Sequence, residues 1–286
     1  MNFYTNVIQR GNSLLVRGVE DGQRVSKRVN YEPTLFNKVT EDTGYKKLDG
    51  QHVLPKHFHS IKEAKAWVEQ RENQDIIFGN TQYPYCYISD EYPNDVPWDK
   101  DQILIVTIDI EVECENGFPN PQDAAEPLLS ITMKNHQNKK IVVWGLHEFQ
   151  NNRDDVDYRL CKDEDDLLIK FLDEWRMIYP DIITGWNTEF FDIPYICNRI
   201  NNLFGEEFMH KLSPWNNVFA REVYQMGRKH QVYTIQGVSA LDFYDLYRKF
   251  TYTNQERYTL DHIAFVELGE RKDGNPFETF KEWYQK

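Results

Sequence analysis

Ile103-Leu104-Ile105-Val106-Thr107-Ile108-Asp109-Ile110-Glu111 is the stretch on which the fold turns. Up to Ile108 it is apolar or β-branched, the composition of a strand covered on both faces. Side chains alternate along a strand, so Asp109 and Glu111 point to the same side. Two carboxylates thus share one face at the end of a core strand. Buried carboxylates are costly unless something cationic neutralises them. From Asp101 to Glu126 there is neither Arg nor Lys, which leaves a hard divalent cation as the candidate partner. Mg²⁺ and Mn²⁺ both take oxygen ligands. The alternative is a strand end whose acids are simply solvated, and D-x-E by itself does not choose between the two.

The surrounding chain sets the frame. Its 286 residues suffice for one large or two ordinary domains, and 17 Tyr, 17 Phe and 7 Trp exclude a disordered chain. Cys86, Cys114, Cys161 and Cys197 form no C-x-x-C pair, which argues against a zinc ribbon or a disulfide framework. That usage suits a reducing cytoplasm. The N-terminus has no apolar signal-peptide core and no stretch approaches the length of a membrane span, so a cytoplasmic protein is expected. The net charge of −13 is unevenly spread. Residues 1–71 hold 12 Lys/Arg against 8 Asp/Glu, and residues 209–257 hold 7 against 4. Between them, residues 72–130 hold 1 against 13. An acidic middle that attracts divalent ions, between basic segments that suit a phosphate backbone, fits a metal-dependent nuclease. It equally fits an ordinary acidic surface.

Residues 1–100 read as a separate α+β unit. Asn2–Ile8 and Ser13–Gly18 predict a strand pair around a turn at Arg10-Gly11-Asn12, and Val25–Tyr31 alternates as a half-exposed strand does. Ser60 with Glu63 three residues on is a capping box for a helix whose apolar stripe is Ile61, Ala64, Trp67 and Val68. Tyr83–Ile88 reads as another strand, with aromatics that suit a core or a base-stacking surface. Asp90–Asp101 reads as a linker.

Residues 101–286 have a different pattern. After the Asp109/Glu111 strand, Leu128–Met133 and Ile141–Trp144 predict two more strands joined by the polar turn Asn135–Lys140. Asp163 caps a helix with Leu167, Leu168, Phe171, Leu172, Trp175 and Ile178 at helical spacing, and Pro180 stops it. Asp181–Trp186 is a short buried strand that delivers Asn187-Thr188-Glu189-Phe190-Phe191-Asp192. Three successive strands with acids on the first are the opening of an RNase H-like sheet, by analogy of fold.

At Asn187–Asp192 a specific resemblance emerges. The strand followed by N-x-x-x-F-D and then by the helical Ile193–Ile200 resembles the second exonuclease motif of family B DNA polymerases. Asp109-Ile110-Glu111 resembles the first motif, and 237–250 and 258–272 resemble later exonuclease-domain segments. Glu32–Phe36 and Tyr87–Asp90 look like the T-even bacteriophage branch. The resemblance implies an α/β architecture: an α+β N-terminal domain, then an RNase H-like 3′→5′ exonuclease domain with a mixed sheet flanked by helices. It implies a two-metal site for Mg²⁺ or Mn²⁺ in which Asp109 bridges the ions, Glu111 holds one and Asp192 the other. Asn187 and Phe191 would position the nucleotide. Val223–Tyr233, a hairpin with Gly227 in the turn, would meet DNA through Arg228 and Lys229.

The partners so implied are single-stranded DNA, a primer-template 3′ end, and a polymerase portion in cis or as a second chain. Its own messenger RNA is a further possible ligand of residues 1–100, and the cytoplasm of a phage-infected host is the implied setting. The family's third exonuclease motif, Y-x-x-x-D, is absent: no Tyr after Asp192 has Asp four residues on. The exonuclease domain is therefore expected to be incomplete at its C-terminal side and weakly active. Asp242–Tyr247 resembles a polymerase metal motif only faintly and reads as a strand, so nucleotide addition is not expected. A non-catalytic nucleic-acid-binding module and a stand-alone DEDD-type exonuclease are the alternatives; metal-dependent digestion of single strands separates the binding module from the two exonuclease readings.

Overall fold

The computed structural model describes residues 2–70, 77–114, 117–225, 227–272 and 274. The chain forms two compact units, Met1–Gln102 and Ile103–Lys286.

In the first unit β1 (Phe3–Arg10), β2 (Ser13–Glu20) and β3 (Gln23–Val29) form an antiparallel meander. Gly11, in the left-handed region at φ +61°, makes the first turn without a Cβ penalty. A second sheet sets β4 (Thr34–Lys38) between β5 (Val53–His57) and β6 (Ile77–Phe78). Helix α1 (Ile61–Glu69) starts at Ser60, whose hydroxyl accepts the Glu63 N–H. The Glu63 carboxylate answers one residue outside the usual box, on the His59 N–H. Ile61, Ala64 and Trp67 are the buried stripe.

The expected strand at Tyr83–Ile88 is instead helix α2 (Tyr83–Glu91). Tyr83 and Tyr87 are buried one helical turn apart, and Pro84 sits in the first turn, where its missing N–H costs nothing. Both rings belong to the core around Leu14, Leu35 and Phe58, and so are not a stacking surface. Asp90, read as linker, lies in this helix and accepts a hydrogen bond from the Tyr31 hydroxyl.

The second unit is built on a six-stranded mixed sheet. It contains β7 (Ile105–Val112), β8 (Leu128–Asn135), β9 (Ile141–Gly145), β10 (Val156–Leu160), β11 (Ile182–Thr184) and β14 (Ser239–Ala240). Their spatial order is β10-β9-β8-β7-β11-β14. The β7-β8-β9 block is antiparallel, while β10, β11 and β14 each run parallel to a neighbour. This mixed sheet flanked by helices is an RNase H-like architecture.

Helix α3 (Glu164–Ile178) is capped by the Asp163 carboxylate and buries Leu167, Leu168, Phe171, Leu172 and Trp175. Its end turns at Tyr179, φ +34°, before Pro180. Helix α4 (Asp192–Phe204) and the short α5 (Glu206–His210) follow, then an antiparallel ribbon of β12 (Val218–Gln225) and β13 (Arg228–Ile235). After β14 come α6 (Phe243–Phe250) and α7 (Leu260–Leu268).

Two expectations are corrected here. Strand β7 is not covered on both faces: Val106, Ile108, Ile110 and Val112 are buried, while Asp109 and Glu111 on the other face are exposed. The acids do lie at the end of the strand, which stops at Val112. Asp242–Tyr247 is not a strand: Asp242 is the N-cap of α6.

Candidate active site

The central strand, the β11 turn and the head of α4 converge. Strand β11 lies parallel beside β7, with Ile182 opposite Ile105 and Thr184 opposite Thr107. Gly185 follows, and a Cβ there would stand 2.7 Å from the Ile108 carbonyl and 2.2 Å from the Thr188 Cγ2. Only glycine lets the loop pass this close to β7. Asn187 takes the left-handed conformation, φ +64°, and its carbonyl accepts the Phe190 and Phe191 N–H groups. The resulting tight turn launches α4 with Asp192 as its first residue.

Asp192 is only 3 % exposed. One of its oxygens accepts the Ile110 N–H at 3.1 Å, the residue between Asp109 and Glu111. Two elements 82 residues apart are thereby stitched at the acids. Burial, and next the charge of Asp109, push the Asp192 pKa up to about 8 against the pull of that N–H. Asp109 is raised as well, first by burial of its carboxyl group and then by Glu111, with the Lys272 ammonium pulling the other way. Asp109 as a residue reaches water, while protein crowds its carboxyl group. Glu111 thus acts on Asp109 and Asp109 on Asp192, an accumulation of negative charge that a bound cation relieves.

Their donor set is all oxygen and fits a hard divalent ion. Among the described residues, though, no group of three or more His, Cys, Asp or Glu side chains forms a ready-made metal cage. The fit is one of chemistry and charge.

The remaining expected residues divide. The Phe191 ring stands 5.8 Å from buried Tyr195 and 5.0 Å from Phe118, which is 83 % exposed. Phe191 is thus half-buried, packed on the core through Tyr195. The hairpin at Val223–Tyr233 is present as β12 and β13, with Gly227 at φ +74° in the turn. Lys229 at its tip is exposed and pairs with Glu222 at 2.5 Å. Arg228 opens β13, but its side chain lies outside what is described. Three contacts brace the ribbon: Arg221 with Glu189, His230 edge-on to Phe190, and the Tyr233 hydroxyl to the Asn198 side chain.

The sequence reading missed two neighbours of the acids. Lys272 acts on Asp109 from far along the chain, with no local signal. Asp242 acts on Asp192 and could have been found: Phe243, Leu246, Tyr247 and Phe250 recur at i, i+3, i+4 and i+7 behind an Asp in capping position.

A mixed sheet with clustered acids on its central strand defines a nuclease-type domain. The chain belongs to the family described as DNA polymerase family B, exonuclease domain, whose family model matches residues 58–263. It is 31 % identical to a DNA-directed DNA polymerase of Escherichia phage RB69, over 98 % of this chain and 34 % of that protein. It is 30 % identical to a DNA-directed DNA polymerase of Enterobacteria phage T4, over 92 % of this chain and 32 % of that protein. A DNA polymerase delta catalytic subunit of Candida albicans is 27 % identical over 60 % of this chain. The chain spans about a third of the length of the phage polymerases it matches. Among the described residues no helix is long and apolar enough to cross a membrane.

Proposed function

We propose that this chain is the N-terminal and proofreading part of a phage-type family B DNA polymerase and hydrolyses nucleotides from DNA 3′ ends. The observation that carries this is the buried Asp192 carboxylate stitched to the Ile110 N–H, beside Asp109 on the central strand. Asp109, Glu111 and Asp192 would hold two divalent ions, Mg²⁺ or Mn²⁺. When bound, these supply a water nucleophile at neutral pH and stabilise the departing 3′ oxygen.

The chain's own residues do the rest. Asp192 is locked by burial and by the Ile110 N–H, so it contributes a fixed oxygen donor; Asp109 and Glu111, on the open face, adapt to it. Asn187 and the half-exposed Phe191 orient the terminal nucleotide. The β12–β13 ribbon, with Arg228 and Lys229 at its tip, contacts the single strand by charge. Without a Y-x-x-x-D the trio has no fourth carboxylate from that motif, and turnover by this chain alone is weak, because groups that act as a unit fail together. The polymerase portion, in cis or as a second chain, is the natural partner for a sequence matching one third of such enzymes.

A 5′-labelled single-stranded oligonucleotide incubated with the chain tests this. Mg²⁺ should give a ladder shortening from the 3′ end, EDTA should stop it, and Asp109→Ala should abolish it. An intact oligonucleotide in both Mg²⁺ and Mn²⁺, bound but uncut, would favour a non-catalytic binding module instead.

A further inference from the structure

The sequence around Asp242 fits neither the metal trio nor a polymerase motif, yet this carboxylate is among the best-engaged in the molecule. It is 6 % exposed. One oxygen accepts the Asn187 N–H and the Tyr244 N–H, each at 2.9 Å, and the other accepts the Glu189 N–H at 2.9 Å. The Tyr244 bond is an ordinary helix cap for α6. The other two reach across more than 50 residues to the loop between β11 and α4. That loop contains the left-handed Asn187, a conformation that asparagine tolerates but that surroundings must hold in place. The same junction is fastened by the Phe243 N–H to the Gly185 carbonyl at 2.8 Å and the Leu241 N–H to the Ile183 carbonyl at 2.9 Å.

We propose that Asp242 is a positioning residue of the 3′-end site, its two oxygens clamping the Asn187 and Glu189 amides so that Asn187 faces the terminal nucleotide. This rests on the function proposed above. Asp192 has its own anchors in burial and the Ile110 N–H, so the clamp sets the nucleotide-facing side of the loop and not the cation ligands. Charged acceptors make the stronger hydrogen bonds, and a carboxylate offers both oxygens as acceptors. An asparagine would turn one of them into a donor facing an N–H. A serine would cap α6 but has no second oxygen for the loop.

The experiment compares the full chain with Asp242→Asn and Asp242→Ser. Amide hydrogen exchange should speed up at least tenfold at both Asn187 and Glu189 in Asp242→Ser and at one of the two in Asp242→Asn, which keeps a single acceptor, while the Tyr244 amide stays protected in Asp242→Ser. The KM for a single-stranded oligonucleotide with a free 3′ hydroxyl should rise several-fold. Mn²⁺ affinity, read by electron paramagnetic resonance, should change by less than about threefold. Unchanged exchange at Asn187 and Glu189, or a KM equal to that of the parent chain in both variants, overturns the proposal and leaves Asp242 a helix cap. If the parent chain cuts no DNA, the proposed function fails on its own. The exchange rates, with oligonucleotide affinity by anisotropy in Ca²⁺, then still decide the clamp.

Discussion

Two of the acidic side chains withdrawn from water in the second unit, Glu164 and Asp192, are treated in opposite ways. Glu164 at the head of α3 meets the Arg199 guanidinium in a two-pronged pair, 2.7 Å and 2.6 Å, with both side chains 12 % exposed. It also accepts the Leu128 N–H, while Arg199 donates to the Ala124 and Ala125 carbonyls. Every charge there is answered. Asp192, more deeply buried, is answered by backbone N–H groups alone, and the charges that act on it most are the negative ones of Asp109 and Asp242. The first arrangement holds α3, α4 and the loop before β8 together. The second leaves a charge deficit at one place, the mark of a site that takes a cation.

Breaking each acid should therefore have opposite consequences. For catalysis, Asp192→Asn should lower 3′-end hydrolysis by several powers of ten, since it removes a member of a concerted set; a single-turnover assay reads this. For stability, Glu164→Ala strands the Arg199 charge and should cost about 3–5 kcal/mol, measured by denaturant unfolding. Asp192→Asn should do the reverse at neutral pH, because the amide keeps an acceptor for the Ile110 N–H and removes the cost of taking up a proton to bury the carboxyl.

The pH dependence sharpens the contrast. The Asp192 pKa is about 8 in the folded chain and near 4 when unfolded, so between these values the native state holds more protons. Cation-free stability should then fall as pH rises from about 4 to about 8, by at most about 1.4 kcal/mol per pH unit from this group. The melting-temperature gap between Asp192→Asn and the parent chain should widen over the same window and close when Mg²⁺ is added.

The smallest effect belongs to the hairpin tip. Lys229 is exposed and its pair with Glu222 is exposed too, so it is free to exchange that partner for a phosphate at little cost. Replacing Arg228 and Lys229 together by Ala should weaken single-strand binding a few-fold and flatten the salt slope by about 1.4, the value for two phosphate contacts. Anisotropy at several salt concentrations reads both.

How much of this was legible in the sequence depends on how far each interaction reaches. The Asp109/Glu111 alternation, the Ser60 and Asp163 caps and the stripe of α3 are local patterns, and each has its counterpart in the fold. The Asn187–Asp192 segment was visible because its chemistry is compressed into six residues. The errors arose where aromatic residues fit two periods: Tyr83 and Tyr87 read as strand residues, yet they lie one helical turn apart. Strand β10 was not anticipated, because Val156–Leu160 alternates apolar and charged residues in only five positions and pairs in parallel, far from any hairpin signal. That Asp192 is buried while Asp109 and Glu111 are exposed was beyond the sequence, since it depends on β11 packing beside β7 and on the Gly185 approach.

On the function proposed above, the charge left unanswered at Asp192 marks a cation site shared with Asp109 and Glu111. Crystals of the chain soaked in Mn²⁺ and measured at a wavelength with strong manganese anomalous signal address it without reference to turnover. The account predicts an anomalous peak within about 2.0–2.4 Å of carboxylate oxygens of Asp109 and Asp192, the range for hard divalent ions, that disappears in Asp192→Asn. Well-occupied manganese elsewhere on the chain, with none among these three acids, would contradict it.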